Sequence, residues 1–200
     1  MKSTRYAVVC LMVWLVAVCA SAGAQTREMK SQPAVSGEQH DMQSAVPGAE
    51  HSSLAKLAGD YTTATRFFMQ PNATAAESAG TAKLSMTLDG RFLVEDDAGM
   101  FMGQSIKGFK MLGYNNSSKR YEGVWTYTMA TGIMTLNGTS TDGGKSLNFV
   151  ASFDGEGGKK ETLQIVMKQT DDDHFVVELS GKLPDGKPGP RLVTTYSRTK

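Results

Sequence analysis

Tyr121, Trp125, Tyr127 and Met129 stand an even number of residues apart, which on an extended chain puts them on one face as an aromatic and thioether stripe. Turned inward, such a stripe lines an apolar ligand cavity or fills a core, and packing is the commoner use of aromatic side chains. Arg198 stands near the C-terminus, and Arg91 follows the Asp89-Gly90 dipeptide. A guanidinium in a cavity grips a carboxylate through two parallel hydrogen bonds; the same group laid on a tyrosine ring closes a packed end. For Arg198, with Gly59-Asp60-Tyr61 opening the first strand, both readings stand and the packing one is favoured.

Other constellations carry less. Glu95 and Asp96 are adjacent acids that in principle share a proton for acid–base work, or simply end a strand before Asp97 and Gly99. His40, Asp41, Glu50 and His51, and the run Asp171-Asp172-Asp173-His174, offer metal-type ligands without a recognised spacing. The acidic run reads better as a solvated turn. The methionines are scattered through apolar segments without the close clustering of a copper(I) site, so core filling accounts for them. No Gly-x-Ser-x-Gly elbow, phosphate loop or metalloprotease helix occurs, and His174 is the one histidine after residue 52. The expectation is a protein without metal, cofactor or covalent chemistry.

Positioning these residues falls to a series of short strands. From Asp60 onward apolar residues recur with a period of two, interrupted by Asp89-Gly90, Asn115 to Lys119, Asp142-Gly143-Gly144, Asp154 to Gly158, Asp171 to Asp173 and Pro184 to Pro190, all turn chemistry. About ten strands follow one another through short turns. Leu54, Leu57 and Ala58 precede them as one or two helical turns ended by Gly59. A meander of this length removes its edges by closing, so the expected fold is all-β, an antiparallel up-and-down β-barrel with a short N-terminal helical turn.

Residues 1–24 have the layout of a cleavable signal peptide: Lys2 and Arg5, an apolar run from Tyr6 to Val18, and Ala22-Gly23-Ala24 as the cleavage triplet. The run is shorter than a membrane span requires. Secretion or a periplasmic location follows, with lipid anchoring at Cys19 less favoured because Val18 precedes it. Both cysteines fall in this segment, which excludes disulfides and thiolate chemistry from the remainder. Without Lys2 and Arg5 the balance is 19 basic against 20 acidic residues, too even for a nucleic-acid partner. Residues 25–52 are polar and small, the composition of a disordered linker, and leave 53–200 as the barrel domain.

Several segments are similar to the bacterial family called domain of unknown function 1579: Leu57-Ala58-Gly59-Asp60, Asp89-Gly90-Arg91-Phe92-Leu93, Gly108-Phe109-Lys110-Met111-Leu112-Gly113-Tyr114-Asn115, Tyr121 with Trp125, Thr131-Gly132 and Tyr196-Ser197-Arg198. The resemblance covers roughly residues 54–198 and implies a barrel of lipocalin or fatty-acid-binding-protein type, with no activity to carry over. Two positions depart from it. Tyr61 opens the first strand where such barrels often place tryptophan, and Tyr127 stands where the family tends to have aspartate. The expected function is binding of a small apolar or amphipathic molecule in the barrel, by Arg91, Tyr114, Trp125, Tyr127 and Arg198. The alternatives are a filled barrel serving as an interaction module of the cell envelope, and an enzyme whose Arg91, Tyr127 and Arg198 converge at the mouth.

Overall fold

The computed structural model describes residues 44–183 and 186–200. The expectations for the signal peptide, for Cys19 and for the linker up to residue 43, with His40 and Asp41, lie outside the described residues. No helix among the described residues is long and apolar enough to cross a membrane.

Ten antiparallel strands follow the short helix α1 (Ala49–Ala55): β1 (Gly59–Phe68), β2 (Ala76–Thr87), β3 (Phe92–Phe101), β4 (Gln104–Asn115), β5 (Arg120–Tyr127), β6 (Met134–Thr139), β7 (Ser146–Asp154), β8 (Lys160–Gln169), β9 (His174–Lys182) and β10 (Pro188–Arg198). Each pairs with its chain neighbour, and β1 pairs with β10 from Tyr61↔Arg198 to Phe68↔Arg191, so the sheet is a closed barrel without edges.

The meander gives the barrel two unlike ends. One receives the turns β2–β3, β4–β5, β6–β7 and β8–β9 together with both ends of the barrel chain; the other, the mouth, receives the remaining five connections. At the first end α1 lies as a cap and buries Leu54, with Leu57 just beyond it. The turns there are chemically specified. Leu88, Asp89 and Gly90 take positive φ in the β2–β3 turn. The side-chain oxygen of Asn115 accepts from the amides of Ser117 (2.9 Å) and Ser118 (3.1 Å).

The period of two sets the core. Lumen-facing positions in the capped half carry Tyr61, Leu84, Leu93, Leu112, Tyr121, Leu147 and Phe175, all buried. Tyr61, Phe175 and Tyr196 form an aromatic group, with Phe175 and Tyr196 stacked at 4.1 Å.

One expectation needs correction. The helix begins at Ala49, so a linker reaching residue 52 is too long; His51 belongs to the cap, buried, accepting from the Gly48 amide at 3.0 Å with its ring edge-on to Tyr114. That contact accounts for His51 as packing and not as a free metal ligand. β2 begins at Ala76, with small and polar residues ahead of the apolar Leu84 and Met86. Met102-Gly103 alone separates β3 from β4.

Candidate functional site

In the mouth half of the lumen the side chains do not fill the barrel, and a cavity of about 140 Å³ opens. One wall is apolar: Leu136, Phe149, Ile165, Met167, Val177 and Leu179 from β6 to β9. The opposite wall, from β10 through β1 and β2 to β4, presents Thr63, Thr65, Ser78, Thr194, Asp97 and Lys110. The small residues that hide β2 in the sequence are what leave this space: Ser78, Ala79 and Gly80 line it where a strand rich in branched residues would fill it.

A charged group forms the floor. Glu95 on β3 is 3 % exposed; its Oε2 accepts from Lys110 Nζ at 2.8 Å and its Oε1 from the Tyr196 hydroxyl at 2.8 Å. Both carboxyl oxygens are therefore engaged, the condition under which a buried ion pair persists. Burial, then the charge of Glu95, drives the Tyr196 phenol well above its ordinary range and keeps it a proton donor. The Lys110 ammonium also lies 5.2 Å from the centre of the Trp125 ring. Trp125 Nε1 is buried and has no hydrogen-bond partner among the described residues.

Asp97 stands two residues from Glu95 on the same face of β3. It is half-buried, lies over its cross-strand partner Gly108, and a side chain at Gly108 would collide with its carboxyl. Burial raises its carboxyl above the usual range; Lys110 opposes this, while Glu95 and Asp96 add to it. The pairing of Glu95 with Asp96 for proton sharing is corrected by the same alternation. Glu95 enters the lumen and Asp96 faces solvent, so the acid that shares Glu95's surroundings is Asp97.

The five expected site residues do not converge. Trp125 lines the cavity, and Tyr127 lies beside it with ring centres 5.8 Å apart. Tyr114 belongs to the capped end, packed against His51 and Tyr121. Arg91 lies in the β2–β3 turn at that same end, where its Nη1 donates to Leu88 O at 3.2 Å. Arg198 holds the cap: Nη1 donates to Ala58 O at 2.6 Å, Nη2 to Lys56 O at 2.9 Å, and the guanidinium lies 4.9 Å from the Tyr61 ring centre. Its fork is spent on the carbonyls behind α1, which fits the packing reading. An enzyme built on Arg91, Tyr127 and Arg198 meeting at the mouth is contradicted, since two of the three stand at the opposite end.

Asp97, Lys110, Glu95 and Tyr196 were missed as a group. For three of them the signal was available, because Glu95, Asp97 and Lys110 interrupt or end a lumen-facing series, Leu93-Glu95-Asp97 on β3 and Lys110-Leu112 on β4. Around the mouth, Met69, Met102, Met129, Ile133 and Leu183 are exposed, an apolar rim on four of its five connections. Among the described residues no group of three or more His, Cys, Asp or Glu side chains is placed to hold a metal ion.

Residues 46–198 match the family described as "Protein of unknown function (DUF1579)". Comparison with curated proteins finds no match. Among solved structures, the S-type phycobiliprotein lyase of Guillardia theta is similar in fold, with a TM-score of 0.53 at 12 % identity over 80 % of this chain and 97 % of that one. A redesigned beta barrel also aligns, with a TM-score of 0.40 at 13 % identity over 74 % of this chain and 96 % of that one.

Proposed function

The chain belongs to the DUF1579 family, and from that premise we propose that its barrel binds one small amphipathic molecule in the mouth half of the lumen. The observation that carries the reading is the cavity, about 140 Å³ between an apolar wall and a wall of hydroxyls and charges. A cavity of about 150 Å³ takes up a benzene-sized guest. The ligand, or the part of it that enters, is therefore about one ring or a short aliphatic segment, and a longer molecule extends past the apolar rim. The capped half is filled with aromatic and aliphatic side chains and adds no room. The signal-peptide layout of residues 1–24 supports a site of action outside the cytoplasm. Likeness to the phycobiliprotein lyase supplies the scaffold alone; the cavity and its walls support the ligand.

The test is native mass spectrometry of the chain purified from its own compartment, paired with uptake of a hydrophobic dye by the chain and by Leu179→Trp. Leu179 is a half-buried cavity-wall residue, and the indole occupies the space without disturbing the capped half. The expected outcome is a small-molecule adduct or dye binding in the chain and at least about tenfold weaker binding in the variant. Equal dye binding by a folded Leu179→Trp puts the dye elsewhere. Neither adduct nor dye binding favours the interaction module.

A further inference from the structure

The lumen's polar groups are unevenly matched. Glu95 has both oxygens occupied by Lys110 and Tyr196. Thr65 and Thr194 satisfy one another at 3.0 Å. Besides the neutral hydroxyls of Thr63 and Ser78, Asp97 remains, a second carboxyl set against the one ammonium that lines the cavity, and it makes no hydrogen bond to any described residue's side chain; Gly108 beneath it supplies none. We propose that the cavity selects a ligand whose apolar body ends in a protonated amine, which pairs with Asp97. This rests on the lumen-binding reading above and names the ligand class for it.

Three observations point to a cation in preference to an anion. Asp97 in the lining and the buried Glu95 beside it set two carboxyls against the one ammonium of Lys110, and an anionic head would meet that balance in a setting of low dielectric, where like charges repel most strongly. Lys110 is already committed to Glu95 and to the Trp125 face, with 11 % of its side chain accessible. Of the other donors, Trp125 Nε1 has almost no accessible surface, and the Thr63 and Ser78 hydroxyls are neutral, so an anionic head finds no second positive charge to pair with. An ammonium at Asp97 balances the charge and gains a charge-assisted hydrogen bond, while the ligand's body lies on Leu179 and Val177 across the lumen.

The experiment is calorimetric titration of the chain at neutral pH with 2-phenylethylamine, 2-phenylethanol and 3-phenylpropionate, which share a phenyl ring and differ in the head. The amine is expected to bind at least about tenfold more tightly than the alcohol, and the carboxylate most weakly. In Asp97→Asn, nearly the same size and checked for folding by circular dichroism, the amine's advantage over the alcohol falls to about twofold or less while the alcohol's own affinity stays within about threefold. A carboxyl-carbon NMR titration of Asp97 supports the pairing if the amine, and not the alcohol, lowers its midpoint. The proposal is overturned if the carboxylate binds as tightly as the amine, or if Asp97→Asn leaves the amine's advantage intact. If all three bind alike, the head-group assignment fails and lumen binding stands; if none binds to the folded chain, both fail.

Discussion

Asp97 shows what the proposed cation site costs in stability. Its carboxyl is raised by burial, so between the unfolded value near 3.9 and the higher folded value the native state holds more proton than the unfolded chain. Stability from this residue is therefore greatest below that window, falls as pH rises through it, and is flat above. The opposite sign holds for Glu178, which the Arg191 hydrogen bond lowers; its contribution is present at neutral pH and lost as pH falls through its folded value. Asp97→Asn removes the first effect alone. The unfolding midpoint of the variant is expected above that of the parent at pH 7 and level with it, or below, at about pH 3, read from thermal melts across that range. A variant less stable than the parent at pH 7 would mean that Asp97 is already held by a partner.

At the scale of elements, the cap is a seven-residue helix that could not persist alone, since isolated helices shorter than about 12 residues are marginal in water. Tertiary contacts hold it: Leu54 in the barrel end, the Tyr61 hydroxyl donating to Leu57 O at 2.9 Å, and the Arg198 fork on Ala58 O and Lys56 O. Gly59 is required there, because a Cβ at that position would run into the Arg198 guanidinium. Arg198→Lys keeps the charge and loses the fork. It is expected to destabilise the fold by about 1–2 kcal/mol and to speed amide exchange in α1 more than in β6 to β8. Unchanged exchange in α1 would remove Arg198 from the role of clasp. Dye binding in the lumen should be retained, since the clasp and the cavity stand at opposite ends.

At the scale of the whole barrel, the described strands form a tube with one end filled and the other hollow. The filled end concentrates the aromatic contacts of Tyr61, Phe175, Tyr196, Tyr114 and Tyr121, and burial pushes the Tyr121 phenol up to about 12. The hollow end has small residues in β2, an unfilled lumen and exposed methionines on its turns, among them Met102 at positive φ. Local stability follows that gradient. Native-state hydrogen exchange is expected to report the strand segments around Tyr61, Leu112 and Phe175 near the global unfolding free energy and the segments around Ala79 and Met100 below it, with ligand slowing the second set. Uniform protection along every strand would contradict a hollow half.

The ten strands, their turns and the meander were legible in the residues, because a period of two is a local property of the chain and each Asp-Gly or Asn-rich break announces its own turn. Membership of the family was legible in segments such as Asp89-Gly90-Arg91-Phe92-Leu93 for the same reason. The ends of the tube were not. Arg91, Tyr114 and Arg198 looked like ligand contacts until strand direction placed them at the capped end, and Glu95, Asp97, Lys110 and Tyr196 come from three strands whose meeting depends on closure of β1 on β10. Whether the lumen is filled is a sum over side-chain volumes from every strand at one height, a quantity that no stretch of sequence contains and that packing alone decides.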